Sequence, residues 1–406
     1  RACMQACPYD ALYLNQDTGG AEKCHYCAHR IEQGLEPACV VVCPEEAIVS
    51  GDFGDPDSKI AKLRARPDAV VRRPEQGTGP NVHYIGADPV SLDPGAAKEP
   101  PTYLWSERRF PAPDYPDGVE LWPKATTVLD VNHKVHWGSK VSAYLVTKGI
   151  AAGVVALAPM VGTTGLAGYL PELLGLAFLV ATLVLLVVDL KRPTKFLSIL
   201  LRPNTKSWLV KGAWVLGAFG AVVAAALLAR LLGLDTLAAV MRVLGVPLAL
   251  LAAGYTAFLF AQCEGRDLWQ NTRWLLPHLL CQAVMLGASV LLPFWPDHAG
   301  LASMLLVGAA GHLGIALRDA YGSHHTRNAK LAASLMPRIE AWPRAGYLAF
   351  RAGLWLTTLA ATGAALLVAM DRLDAFSGAV LLVLGVVGTF FYEQAYVRAG
   401  QLPPLS

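Results

Sequence analysis

The sequence predicts a mainly α membrane protein, a bundle of about eight transmembrane helices preceded by a small, cysteine-rich α+β segment. Three observations predict it. Hydrophobic residues make up 54% of the 406 and charged residues only 16%, a balance normal for a membrane protein and unusual for a soluble one. Six of the eight cysteines lie within residues 1–43. The charge also divides: residues 1–138 hold 14 Lys and Arg against 20 Asp and Glu, a net of −6, while residues 139–406 hold 20 against 11, a net of +9. An acidic leading part does not suggest nucleic-acid binding.

The leading element is residues 1–60. At its centre stands Cys24-x2-Cys27-x11-Cys39-x3-Cys43-Pro44, preceded by Cys3-x3-Cys7-Pro8. Bacterial ferredoxins carry C-x2-C-x2-C-x3-C-P, in which the fourth Cys ligates the other cluster of a pair. The segment therefore reads as ferredoxin-like, with Cys3 and Cys7 as the last two cysteines of such a run. The first two would precede Arg1, so the chain reads as truncated, holding the C-terminal part of a larger domain. The ligand exchange assigns Cys24, Cys27, Cys39 and Cys7 to one complete [4Fe–4S] cluster. Cys43 and Cys3 belong to a second, partial one. Thiolates suit the role as soft, strongly donating ligands. Structural zinc and disulfides are the competing readings, but zinc sites commonly use two C-x2-C pairs, whereas here C-x3-C-P occurs twice. His25 and His29 read as neighbours of the ligands, not as ligands. Cys263 and Cys281, in the apolar part, read as inert small hydrophobes.

Residues 61–138 are rich in Pro, Gly and Asp, with turn pairs such as Gly79-Pro80 and Pro100-Pro101. They read as an irregular connector or as a segment that docks the cluster-bearing part. The third domain is 139–406. Apolar runs long enough to span a bilayer, about 20 residues each, recur at 142–160, 168–189, 208–232, 236–262, 274–293, 300–318, 346–370 and 374–397. Gly149 and Gly153 form a small-xxx-small pair suited to close helix packing in lipid.

An even number of spans puts both ends of this domain on one face. Loops and helix ends on that face carry 16 of its 20 Lys and Arg, among them Lys191, Arg192, Lys195, Arg202, Lys206, Arg266, Arg273, Arg327 and Lys330. The other face carries Arg230, Arg242 and Arg372, and Lys148 lies inside a span. The positive-inside rule then predicts a multi-pass inner-membrane protein with its iron–sulfur side in the cytoplasm. A periplasmic placement follows instead if the basic loops serve to dock the acidic part.

Two stretches resemble known families. Lys23-Cys24-His25-Tyr26-Cys27-Ala28-His29-Arg30 with Glu36-Pro37-Ala38-Cys39, and later Gly51-Asp52-Phe53-Gly54-Asp55-Pro56, resemble the iron–sulfur subunits of the dimethyl sulfoxide reductase and polysulfide reductase group. The membrane part resembles the NrfD/polysulfide reductase membrane subunits. The matching residues are Asp189-Leu190-Lys191-Arg192-Pro193 with Phe196, Lys206-Ser207-Trp208 with Gly212-Ala213-Trp214, Tyr255-Thr256-Ala257-Phe258, and Trp269-x-Asn271-Thr272. The resemblance implies about half of a four-cluster subunit fused to a quinone-reactive, haem-free membrane subunit. It implies a molybdopterin-type catalytic partner, with this chain not itself catalytic on the terminal substrate. Menaquinone or ubiquinone would be the membrane substrate.

A quinone needs hydrogen-bond donors for its carbonyls, proton carriers and an apolar slot. Near the iron–sulfur face, Tyr144, Lys148, Asp189, Trp208, Tyr255, Trp269 and Asn271 supply them. Tyr144 and Lys148 share a helix face at i, i+4. Each also has a plainer reading: Trp208 and Trp269 suit an interfacial belt, Asp189 an interfacial pair with Lys191 or Arg192, and Lys148 snorkelling. His278 and His312 could in principle ligate a b-type haem, though they differ in depth. The expected function is electron transfer between the clusters and the quinone pool. The alternatives are a redox-driven ion translocator using Lys148, His312, Arg318 and Asp319, or a passive anchor.

Overall fold

The computed structural model describes residues 20–88, 137–162, 164–190, 203–263, 266–337 and 345–403, with Cys3, 6–9, 11–14, Leu92 and Leu201 besides. Most of the 89–136 connector, the basic run Lys191, Arg192 and Lys195, and Arg202 lie outside the described residues. The chain forms two compact units, Arg1–Asn132 and His133–Ser406.

The first unit is built from short pieces, as its turn-rich sequence dictates. Strands β1 (Leu12–Leu14) and β2 (Ala21–Lys23) pair antiparallel, Leu12 opposite Lys23. Two single-turn helices follow, α1 (Ala28–Ile31) and α2 (Ala38–Val42). Helix α3 (Lys59–Arg64) starts where Ser58 Oγ accepts the Ala61 N–H at 3.1 Å, a helix N-cap. Strands β3 (Ala69–Val70) and β4 (Tyr84–Ile85) pair antiparallel after it. Packing here is thin: Phe53 meets His83 edge-on at 5.4 Å and lies under Arg64 at 4.8 Å.

The second unit holds eight helices long and apolar enough to cross a membrane, at the eight expected runs. They are α4 (Ser139–Leu157), α5 (Leu170–Asp189), α6 (Trp208–Leu231), α7 (Asp235–Ala261), α8 (Thr272–Leu291), α9 (Ala299–Tyr321), α11 (Ala345–Ala369) and α12 (Ala375–Ala399). A shorter helix, α10 (Arg327–Leu335), lies between α9 and α11. It is too short to span, and its N-cap Thr326 Oγ1 accepts the Ala329 N–H.

Neighbour relations divide the eight spans into two rings of four. In one, α4, α5, α6 and α7 each pack on the next, and α7 returns to α4. In the other, α8, α9, α11 and α12 do the same. Helix α4 joins the rings through α8 and α12, and α7 also touches α8. Hence α4 and α8 are the most deeply buried spans, while α5 and α11 turn most of their surface outward. Leu231, Trp355, Leu366 and Phe376 are exposed, as side chains meeting hydrocarbon should be.

At the seam, a Cβ on Gly153 would stand 1.8 Å from the Ala283 carbonyl oxygen, and one on Gly287 2.2 Å from the Gly153 backbone. Only hydrogen fits where α4 crosses α8. The face where α4 begins is the entry face, and there Gln401 ties the ends together. Its Oε1 accepts the Trp137 N–H at 2.9 Å, and its Nε2 donates to the carbonyls of Trp137 and Val397. On the far face, His298 Nδ1 accepts the Leu301 N–H, which leaves Nε2 to donate to the Met160 carbonyl at 2.7 Å.

Candidate functional site

The cysteine turn is shaped by backbone. Cys24 directly follows β2, and Tyr26 and Cys27 take left-handed φ of 59° and 50°. Left-handed conformations in consecutive non-glycine residues are costly and persist where surroundings require them. The Tyr26 hydroxyl accepts the Gly51 N–H at 3.0 Å, fixing the loop from outside. Cys39 sits in α2, and Cys43 ends it, its Sγ accepting the Ala47 N–H at 3.2 Å. Partial burial pushes the Cys39 thiol up, and the charges of Cys27 and Cys24 beside it push it further. The Cys24 and Cys27 thiols thus lie close enough to Cys39 to act on it electrostatically. Among the described residues no three His, Cys, Asp or Glu side chains close on a single ion, and no disulfide joins the cysteines. An all-cysteine donor set is the kind that iron–sulfur clusters take. Cys263, between α7 and α8, is pushed up to about 11 by burial, with Arg266 beside it opposing the shift, as befits an inert thiol.

Of the seven predicted quinone residues, the fold brings three together. Tyr144 and Lys148 lie one turn apart on α4, and Tyr255 faces them from α7. All three are buried. Lys148 Nζ donates to the Ala253 carbonyl at 3.0 Å and to Thr256 Oγ1, and lies 4.8 Å from the centre of the Tyr255 ring. Burying an ammonium costs several kcal/mol. Hydrogen bonds from a charged donor return about 1.5–3 kcal/mol each, and a desolvated cation–π contact about 2 kcal/mol. Lys148 is thus held by neutral partners and does not snorkel. Tyr255 lies flat on α6, where a Cβ on Gly212 would come within 2.2 Å of its ring. A glycine there is what lets the tyrosine stand beside the lysine.

The other four lie elsewhere. Asp189 ends α5 near Lys140, whose Nζ donates to the Val188 carbonyl at 3.1 Å. Trp208 is half-buried, stacked on Phe258 at 4.5 Å and covered by Lys211 at 4.7 Å. Trp269 is buried, not a belt residue, and stacks between Trp137 at 5.0 Å and Phe260 at 4.9 Å. Asn271 is the N-cap of α8 without a side-chain cap bond. These four secure the entry face.

The second ring carries a polar row of which the sequence reading named His278, His312, Arg318 and Asp319 but missed Gln282 and Glu393. Glu393 on α12 is 3% exposed and accepts from Gln282 Nε2 on α8 at 2.7 Å. Gln282 Nε2 also stands 3.4 Å from His312 Nδ1 on α9, which shares a hydrogen with His278 Nε2 at 2.8 Å. That direct bond occupies the facing nitrogens, so the pair does not clasp a haem iron between them. His278 Nδ1 stands 3.8 Å from Asp319 Oδ2, and Asp319 Oδ1 accepts from Arg318 at 2.9 Å. A lone Glu and a Gln inside apolar runs were the available signal. A second missed feature is Arg242 of α7, paired with both oxygens of Glu172 at 2.6 and 2.9 Å and donating to the Gly168 carbonyl.

Fold and sites together define a multi-pass membrane protein with an iron–sulfur segment in front. Residues 127–392 match the family described as polysulphide reductase, NrfD, and the chain belongs to that family. Residues 1–53 match a 4Fe–4S dicluster domain. Among curated relatives, a tetrathionate reductase subunit of Salmonella typhimurium is 47% identical over 107 residues, 26% of this chain and 42% of that one. A polysulfide reductase chain of Wolinella succinogenes is 40% identical over 84 residues, 20% of this chain and 44% of that one. A putative dimethyl sulfoxide reductase iron-sulfur subunit of Halobacterium salinarum is 39% identical over 112 residues, 23% of this chain and 42% of that one. The chain spans less than half the length of these relatives.

Proposed function

We propose that this chain is the electron-transfer and membrane-anchoring subunit of a respiratory oxidoreductase, exchanging electrons between its 4Fe–4S clusters and a membrane quinone. Cys7, Cys24, Cys27 and Cys39 would hold one complete cluster, with Cys3 and Cys43 belonging to a second. The clusters supply one-electron carriers; the terminal chemistry belongs to a separate catalytic subunit, of molybdopterin type by the family resemblance. The relatives' names, as single components of multi-subunit reductases, support a partner of that kind.

The observation that carries the quinone reading is Lys148. A passive anchor has no need of a buried ammonium, yet this one is 2% exposed, nine residues inside α4 and held beside two tyrosines. A quinone carbonyl placed there would accept from Lys148 and from a tyrosine hydroxyl. The ammonium would favour the more negative oxygen of the reduced form. Lys148→Met and Tyr255→Phe should each lower quinone-linked turnover while cluster reduction by an artificial donor stays intact. Normal quinone kinetics in both would remove the headgroup from this place.

A further inference from the structure

We propose that Asp319, His278, His312 and Glu393 form a one-sided proton path joining the entry face to the surroundings of Lys148, with Gln282 as its positioning residue. The proposal rests on the quinone reading, because it gives the path its terminus. Quinone reduction takes two electrons from the clusters and two protons, and forms two O–H bonds. Quinol oxidation reverses each of these. Because Lys148 is buried, protons bound for a headgroup beside it must travel through protein.

The row runs inward from Asp319 to His312 and then returns through Gln282 to Glu393, six residues from the end of α12 and about 9 Å deep. Asp319 is two residues from the end of α9, about 3 Å deep at 1.5 Å per residue. His324 Nε2 bonds its carbonyl at 3.0 Å and Arg318 its carboxylate, marking the mouth. His278 is about 9 Å deep and His312 about 14 Å. A proton taken by Asp319 passes to His278 Nδ1, 3.8 Å away. The proton on His278 Nε2 then moves to His312 Nδ1 along the 2.8 Å bond, and His312 Nε2 gives up its own. His312 Nε2 is buried with no protein partner among the described residues, as are the Tyr392 hydroxyl and Ser142 Oγ. Such atoms call for ordered water, the carrier from His312 to Glu393. Glu393 feels the charge of Lys148 from α4 and of Asp319 from α9, and hands the proton to the quinone oxygen beside Lys148.

Asp319 from α9 stands against His278, and Tyr392 from α12 meets the His278 and His312 rings at 5.1 and 4.9 Å; Tyr392 in turn feels the charges of Asp319, Glu393 and Tyr396, and Glu393 that of Lys148 from α4. The neighbouring helix α11 contributes Phe350 against Tyr392. Beyond His312 and Glu393 no further ionisable side chain continues the row among the described residues of these helices. Toward the far face the same helices pack Ile150, Val154, Leu286, Leu291, Leu301 and Leu305 into one buried apolar cluster. Protons are therefore exchanged with the entry face alone. This is a delivery route, not a pump. Polar groups serving only as glue between helices would not be arranged to receive and release protons in sequence.

The test uses the complete complex in proteoliposomes with a pH-sensitive dye trapped inside or placed outside. Asp319→Asn and Glu393→Gln keep shape and remove the proton carrier. Each should lower kcat about a hundredfold, the scale of a lost acid–base group, with quinone KM unchanged and a larger solvent isotope effect. Wild-type turnover should change pH only on the entry face. Unchanged kcat in both variants, or pH change on the far face, overturns the path. A raised KM at unchanged kcat overturns it too, since the residues would then bind quinone. If Lys148→Met is silent while Asp319→Asn is slow, the path stands and the headgroup placement fails.

Discussion

The two rings of four spans have the same neighbour pattern and opposite polar content. Ring one, α4 to α7, isolates its charges: Lys148 sits among neutral partners near the middle, and Arg242 with Glu172 near the far face. Ring two, α8, α9, α11 and α12, strings its polar groups in a row from Asp319 inward. The helices of the two rings overlap in mean hydropathy. What differs is a handful of side chains, so the shared scaffold does not decide the chemistry and the placed groups do.

Arg242→Met should have the largest effect on stability. It strands the buried Glu172 carboxylate, a loss of about 3–5 kcal/mol when one partner of a buried pair is removed. Arg242→Met with Glu172→Leu together should recover most of it. A double variant as unstable as the single one would mean that the pair does more than neutralise itself. Thermal unfolding in detergent reads both.

Gly153→Val should come next. Its side chain would collide with the Ala283 carbonyl on the other ring, and overpacking costs about 1–3 kcal/mol. The damage should appear as separation of the rings, seen by loss of a cross-link between α4 and α8, with each ring still helical. Full stability in this variant would break the description of the seam as backbone against backbone.

Asp374→Ala should have the smallest effect and be confined to ring two. The Asp374 carboxylate accepts the Ser377 N–H at 2.7 Å at the start of α12, and that bond holds its pKa below the usual carboxylate range. Its contribution is therefore complete at neutral pH and is lost as pH falls through the lowered folded value. Wild type and Asp374→Ala should differ at pH 7 and converge at strongly acid pH. Parallel curves at all pH values would show the cap to be idle.

The spans and the 4Fe–4S-type segment were legible in the residues alone. Twenty-residue apolar runs announce themselves because a bilayer demands them, and the cysteine motif because its spacing is local. Lys148 was legible too, since its charge is conspicuous inside a run. What faces what emerged only from the packed helices. Trp269 read as a belt residue and lies buried in an aromatic stack with Trp137, 132 positions away in sequence (269 − 137). Glu393 stood unremarked in its run, yet α12 returns it to Gln282 and toward Lys148. Helical periodicity tells which residues share a face of one helix, but not which neighbour that face meets. That choice is made by the close crossings that Gly153, Gly287 and Gly212 permit, where the absence of a side chain sets which backbones touch.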